Sequence, residues 1–140
     1  MRIGLVKSIY YAKILDGLFA GAQEYLRSQN LELACIAEAP GAFEIPLVAK
    51  RLAQSKKLDG VICLGCVIKG ETAHFEYICD AVAHGLLAVS LELEIPVTFG
   101  ILTTYTMAQA EARSLATTEN KGIEAARACV EAVRTLQELQ

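Results

Sequence analysis

The sequence predicts an α/β protein, a four-stranded parallel sheet held between two layers of helices. Three observations point there. Short apolar, β-branched runs alternate with longer stretches of helical periodicity along the whole chain. The clearest run, Val61 to Ile68, is nearly continuous in apolar character, as for a strand covered on both faces. Turn-forming tracts such as Pro40-Gly41-Ala42 and Lys56-Lys57-Leu58-Asp59-Gly60 punctuate the alternation. Regular alternation of this kind implies right-handed crossovers and parallel strands.

In chain order, Ile3 to Lys7 reads as the first buried strand. Ser8-Ile9-Tyr10-Tyr11 is a loop. Ala12 to about Ser28 is a helix, with Ile14, Leu15, Leu18, Ala22, Tyr25 and Leu26 at helical spacing. Leu31 to Ala37 is the second strand. Phe43 to about Gln54 is a helix in which Pro46, having no N–H, is tolerable only in the first turn. Val61 to Ile68 is the central strand, too short for a buried helix. Lys69 and Gly70 end it, and Thr72 stands as the N-cap of an amphipathic helix running to about Glu92. Ile95-Pro96 starts the fourth strand, Val97 to Leu102. Thr103-Thr104-Tyr105-Thr106 then caps a helix to about Arg113, and Asn120-Lys121-Gly122 leads into a last helix ending near Leu139.

The 140 residues make one domain, residues 1–140, with enough chain for a substantial core. At 54% hydrophobic and 21% charged, there is more apolar surface than such a core readily hides, which points to oligomerisation. A net charge of −3 without a basic stripe argues against nucleic acid as a partner. No run reaches membrane-spanning length, and the apolar start is too short for a signal peptide, so the expected location is the cytoplasm. Five cysteines, an odd number, argue against a disulfide framework. Cys63-Leu64-Gly65-Cys66 has redox or zinc spacing, but on a strand residues three apart face opposite ways, so these thiols read as small core residues.

Parallel strands place the strand-to-helix loops on one edge of the sheet, where open α/β sheets bind ligands. Those loops carry Tyr10-Tyr11, Gly41-Ala42-Phe43-Glu44, Lys69 to His74, and Thr103-Thr104. The backbone N–H groups of Gly70, Glu71 and Thr72 at a helix start suit an anion, and His74, one turn in, would stand beside whatever carries it. Taken alone, Glu44 reads as a first-turn acid, Arg113 and Lys121 as solvated charges near helix ends, and Phe99 as core.

Four segments together carry a resemblance. They are Pro40-Gly41-Ala42-Phe43-Glu44-Ile45-Pro46, Leu64-Gly65-Cys66-Val67-Ile68-Lys69-Gly70-Glu71-Thr72-Ala73-His74-Phe75-Glu76-Tyr77, Pro96 to Thr104, and Asn120-Lys121-Gly122-Ile123-Glu124-Ala125-Ala126. In this order they closely resemble the lumazine synthase family, from about Ile3 to about Val133. The resemblance implies a flavodoxin-like sandwich and a transferase in the penultimate step of riboflavin synthesis. A ribitylamino-substituted aminouracil condenses with dihydroxybutanone phosphate, phosphate is eliminated, and the ring closes to dimethyl-ribityl-lumazine. It further implies no cofactor and no metal, and active sites shared between neighbouring subunits of a pentamer. In many members twelve pentamers close into an icosahedral shell.

Carried over by resemblance, Gly70, Glu71 and Thr72 match the loop that holds the substrate phosphate, and Arg113 the arginine reaching it from the adjacent subunit. His74 matches the proposed general acid/base. Tyr10 takes the place of an aromatic that stacks on the pyrimidine. Gly41, Ala42, Phe43 and Glu44 match the turn along the ribityl chain, and Cys66, Val67 and Ile68 the strand end flanking the pyrimidine. Phe99 matches an aromatic packing on the ring from the neighbour, and Lys121 and Glu124 polar positions near the ribityl chain and the histidine. The family usually pairs its first aromatic with Asn, whereas here Tyr11 follows Tyr10. Tyr105 is bulky where relatives tend to be acidic or small. The competing expectation is a self-assembling shell or scaffold relative with weak or lost catalysis. A signalling or flavin-binding module is disfavoured, since Lys7-Ser8-Ile9-Tyr10-Tyr11 offers neither an acidic cluster nor a hydroxyl-rich phosphate loop.

Overall fold

A computed structural model describes residues 1–140, in which four parallel strands form one sheet in the order β2-β1-β3-β4. The strands are β1 (Ile3–Ser8), β2 (Leu33–Ala39), β3 (Gly60–Ile68) and β4 (Val97–Thr104). The helices are α1 (Ala12–Ser28), α2 (Ile45–Lys56), α3 (His74–Leu93), α4 (Met107–Ala112) and α5 (Lys121–Glu138), with a single 3-10 turn at Ala42–Glu44. The arrangement is that of a flavodoxin-like three-layer sandwich.

β3 is the strand the sheet is built on. Its Leu64 lies beside Lys7 of β1 and beside Gly100 of β4. Ile62, Leu64 and Cys66 enter a core shared with Leu15, Leu18 and Val130 of α1 and α5. Val61 and Cys63 enter the opposite core, with Ala49, Val82 and Leu86 of α2 and α3. The period of two thus divides the CxxC cysteines between the two faces, as expected. All five cysteines are free thiols.

Several boundaries differ from the sequence reading, each for a local reason. β2 starts at Leu33 because the Leu31 N–H is taken by the Leu26 carbonyl at 2.9 Å, closing α1 after a left-handed Asn30. The helix expected from Phe43 begins at Ile45, since Pro46 sits in its first turn and Ala42–Glu44 wind more tightly ahead of it. β4 runs on to Thr104, because Ile68 still pairs with it and Lys69 N–H donates to the Thr104 carbonyl at 2.9 Å. Thr106 alone is the N-cap of α4, in a capping box with Gln109.

Thr72 is not an N-cap. α3 starts at His74 behind Ala73, with no side-chain cap, and Thr72 Oγ1 only accepts a long 3.4 Å bond from the His74 N–H. His74 is therefore the first residue of α3 rather than one turn inside it.

Asn120 fixes the far side. It is buried, its Oδ1 accepts from the N–H groups of Gly122 and Ile123, and its Nδ2 donates to the carbonyls of Gly17 and Leu115. A Cβ on Gly122 would strike the Leu18 carbonyl, so only glycine lets α5 begin this close to α1. Lys121 and Glu124 are presented from that anchored first turn.

Candidate active site

The ends of β1 and β3 and the turn after β2 enclose a cleft of about 480 Å³. Tyr10, Gly41, Ala42, Phe43 and Glu44 form one side, Cys66, Val67 and Ile68 the floor, and His74 the far lip. Every one of these was singled out from sequence. Gly41 sits close to both neighbours: a Cβ there would lie 3.1 Å from Glu44 Oε2 and 3.5 Å from the Tyr10 ring. Tyr10 and Phe43 leave 65% and 60% of their surface exposed, so two aromatic faces stand open at the mouth. Among the site's own groups, Cys66 is held neutral, burial pushing its thiol up to about 11. It therefore acts as small apolar floor at neutral pH.

Tyr11, Pro40 and Ile78 also line the cleft and were not among the candidate residues. Tyr11 carries the more informative geometry. Its backbone is left-handed at φ 56 and ψ 57, and it precedes α1 without a side-chain capping bond. A tyrosine held in this region stores strain on the order of 1–2 kcal/mol. Nothing in its local sequence marks that, because tyrosine is an uncommon left-handed residue. Below the end of β1, buried Ser8 Oγ has no hydrogen-bond partner.

Gly70, Glu71 and Thr72 run exposed between Ile68 and His74, both of which line the cleft, without walling it themselves. Their backbone N–H groups make no intrachain bonds, so they are available to a ligand.

The remaining candidates do not meet this cleft. Phe99, Arg113, Lys121 and Glu124 gather around a second depression of about 390 Å³ beside edge strand β4, joined by Glu119 and the end of that strand. Lys121 Nζ lies 3.0 Å from Glu124 Oε1. Arg113 Nη1 donates to the Gln109 carbonyl at 3.0 Å, and the Arg113 carbonyl accepts from the Lys121 N–H at 2.9 Å, tying the end of α4 to the start of α5. His74 is absent from this set, so within one chain Glu124 is not the histidine's neighbour. One chain thus presents an apolar cleft with an imidazole and, separately, a charged depression with an aromatic.

The sequence model of a family described as 6,7-dimethyl-8-ribityllumazine synthase matches residues 1–137. A relative from Caulobacter vibrioides, named 6,7-dimethyl-8-ribityllumazine synthase 1, is 50% identical over 141 residues, covering 99% of this chain and 92% of the relative.

Proposed function

The chain belongs to the 6,7-dimethyl-8-ribityllumazine synthase family, and on that footing we propose how its two surfaces carry out the reaction. The protein is a transferase of riboflavin biosynthesis that condenses a ribitylamino-substituted aminouracil with dihydroxybutanone phosphate to give dimethyl-ribityl-lumazine. The observation that carries the site assignment is the meeting of Tyr10, the Gly41–Glu44 turn, the Cys66–Ile68 strand end and His74 in one cleft.

In this reading the pyrimidine lies on the apolar floor against Tyr10, and its ribityl hydroxyls run along the turn toward Glu44. The phosphate sits at Gly70, Glu71 and Thr72, where unpaired N–H groups and the α3 dipole favour negative charge. The aminouracil amine attacks the ketone carbonyl, and loss of water leaves an imine. Proton shifts along the carbon chain then expel phosphate, leaving an enol that becomes a ketone. The ribityl-bearing nitrogen closes on that ketone with loss of a second water. Each shift needs a group that gives and takes protons near neutrality, the role assigned to His74 at the cleft's lip. Holding both substrates together removes the entropy of their encounter, which is the larger contribution.

Arg113, Phe99, Lys121 and Glu124 are assigned to the same site from a neighbouring copy. An exposed guanidinium has a forked geometry that suits phosphate, and the chain's own cleft has no comparable cation lining it. The 54% hydrophobic composition, together with exposed Leu47, Tyr77, Leu87 and Leu91, supports burial of apolar surface between copies. A ring of five, or a multiple of it, is the assembly this reading takes. No helix is long and apolar enough to cross a membrane. Mixing the purified protein with both substrates and following lumazine fluorescence tests the function. A rate no greater than the uncatalysed background would instead favour a scaffold role.

A further inference from the structure

The stretch from Lys69 to His74 is exposed throughout, and its one internal side-chain hydrogen bond is the 3.4 Å contact between His74 N–H and Thr72 Oγ1. Left to itself such a loop samples many shapes, and ordering it would cost binding free energy. Contacts from outside the cleft oppose that. Lys69 is pinned twice, with Nζ 3.4 Å from Glu76 Oε1 and 5.5 Å from the centre of the Tyr105 ring. The same ring packs on Phe75, centroid to centroid 6.0 Å at a 46° tilt. Tyr105 therefore grips residues on both sides of Gly70-Glu71-Thr72.

Tyr105 is itself well fixed. Its N–H donates to Gln109 Oε1 at 2.9 Å within the α4 capping box, and the preceding carbonyl, of Thr104, accepts from Lys69 N–H at 2.9 Å. Tyr105 remains 66% exposed, so burial does not account for a large aromatic here. The short helix it opens ends at Arg113, so one rigid turn serves the loop at its start and the β4 depression at its end.

We propose that Tyr105 is a positioning residue for the phosphorylated substrate, a clamp whose ring holds Lys69 and Phe75 and thereby presets the Gly70–Thr72 turn. It touches no substrate. The inference rests on the assignment of the phosphate to that turn. The hydroxyl has no part in it, because it makes no hydrogen bond and both contacts are to the ring.

Steady-state kinetics on five variants of the assembled protein, counting the Lys69→Ala background, test it. Tyr105→Ala should raise KM for dihydroxybutanone phosphate about two- to fivefold, the span of one exposed cation–ring contact. The pyrimidine's KM and the melting temperature should stay at wild-type values. Tyr105→Phe should behave as wild type. In a Lys69→Ala background, Tyr105→Ala should add less than it costs alone, since the two act through one contact. An unchanged ketone KM in Tyr105→Ala, an equal rise for both substrates, or failure of Tyr105→Phe to retain function would overturn the clamp. Gly70→Asp separates this from the assignment beneath it. A Cβ at Gly70 meets nothing within 4 Å, so the carboxylate fits and should repel phosphate. If Gly70→Asp leaves the ketone KM unmoved, the turn is not the phosphate site and the clamp falls with it. If Gly70→Asp raises that KM and Tyr105→Ala does not, only the clamp falls.

Discussion

The cleft at the ends of β1 and β3 and the depression along the edge of β4 belong to one sheet, yet they are chemical opposites. The cleft is floored by Cys66, Val67 and Ile68 and faced by Tyr10 and Phe43, with His74 at its lip. The depression is ringed by Arg113, Lys121, Glu119 and Glu124, and Phe99 is its one aromatic. The first is suited to an aromatic ring and to moving protons, the second to fixed charge. Neither suffices for a reaction that must stack a pyrimidine, shift protons and expel phosphate. The difference teaches that the chain is built as two complementary halves, and on the proposed reading the halves meet only between copies.

Separating the copies is the most severe way to break that relation. Dilution to monomers should remove essentially all activity, because on the proposed reading each chain keeps only half a site. Activity followed alongside light scattering would show the two falling together, whereas a fully active monomer would place the whole site in one chain.

Within the cleft, His74→Ala should lower kcat by about a hundredfold, the low end for a general acid/base residue. The effect stops short of abolition because imine formation also proceeds in solution. A total loss of turnover in a correctly assembled variant would contradict the role.

On the depression side, Arg113→Ala should weaken the phosphorylated substrate by about 1.5–3 kcal/mol, the range for a charged hydrogen bond. Binding titrations should find the pyrimidine's affinity nearly unchanged. Equal weakening of both substrates would remove Arg113 from the phosphate.

Smaller effects sharpen the contrast through stability. Tyr11→Asn should raise it by about 1 kcal/mol, since Asn adopts the left-handed region at less cost. Urea unfolding would measure the gain, and a loss would mean that the ring's contacts outweigh its strain. The cleft's thiol supplies a pH signature the depression lacks. Burial raises the folded values of Cys66 to about 11 and of Cys129 to about 12, above the ordinary thiol. The unfolded chain thus loses these protons first, and stability present below about pH 9 should decline as pH rises toward 11–12. Cys66→Ala should flatten part of that decline.

Much of this was legible in the sequence because it rests on period and composition. The continuous apolar run of β3 requires cover on both faces, and the same period of two separates Cys63 from Cys66. Boundaries were less legible where one hydrogen bond decides them. The Leu31 N–H goes to α1 rather than to β2, and Thr72 makes a local turn instead of capping α3. The cleft residues were found because they cluster on successive loops of one sheet edge. Tyr105's grip on Lys69 is a contact across loops, which no local pattern encodes, and Tyr11's left-handed backbone runs against its residue type. Phe99, Arg113, Lys121 and Glu124 carry no local signal beyond core or surface, and resemblance alone singled them out.

The central claim, one site from two chains, is tested most directly by complementation. His74→Ala combined with Gly70→Asp disables the cleft half, and Arg113→Ala disables the β4 half. Coexpressed in equal amounts, purified as mixed assemblies and assayed at dihydroxybutanone phosphate well below saturation, where loss of Arg113 is felt, the two chains should recover activity above either parent, with about a quarter of the sites intact if they mix at random around a ring. Mixed assemblies no more active than the mean of their parents would contradict the shared site.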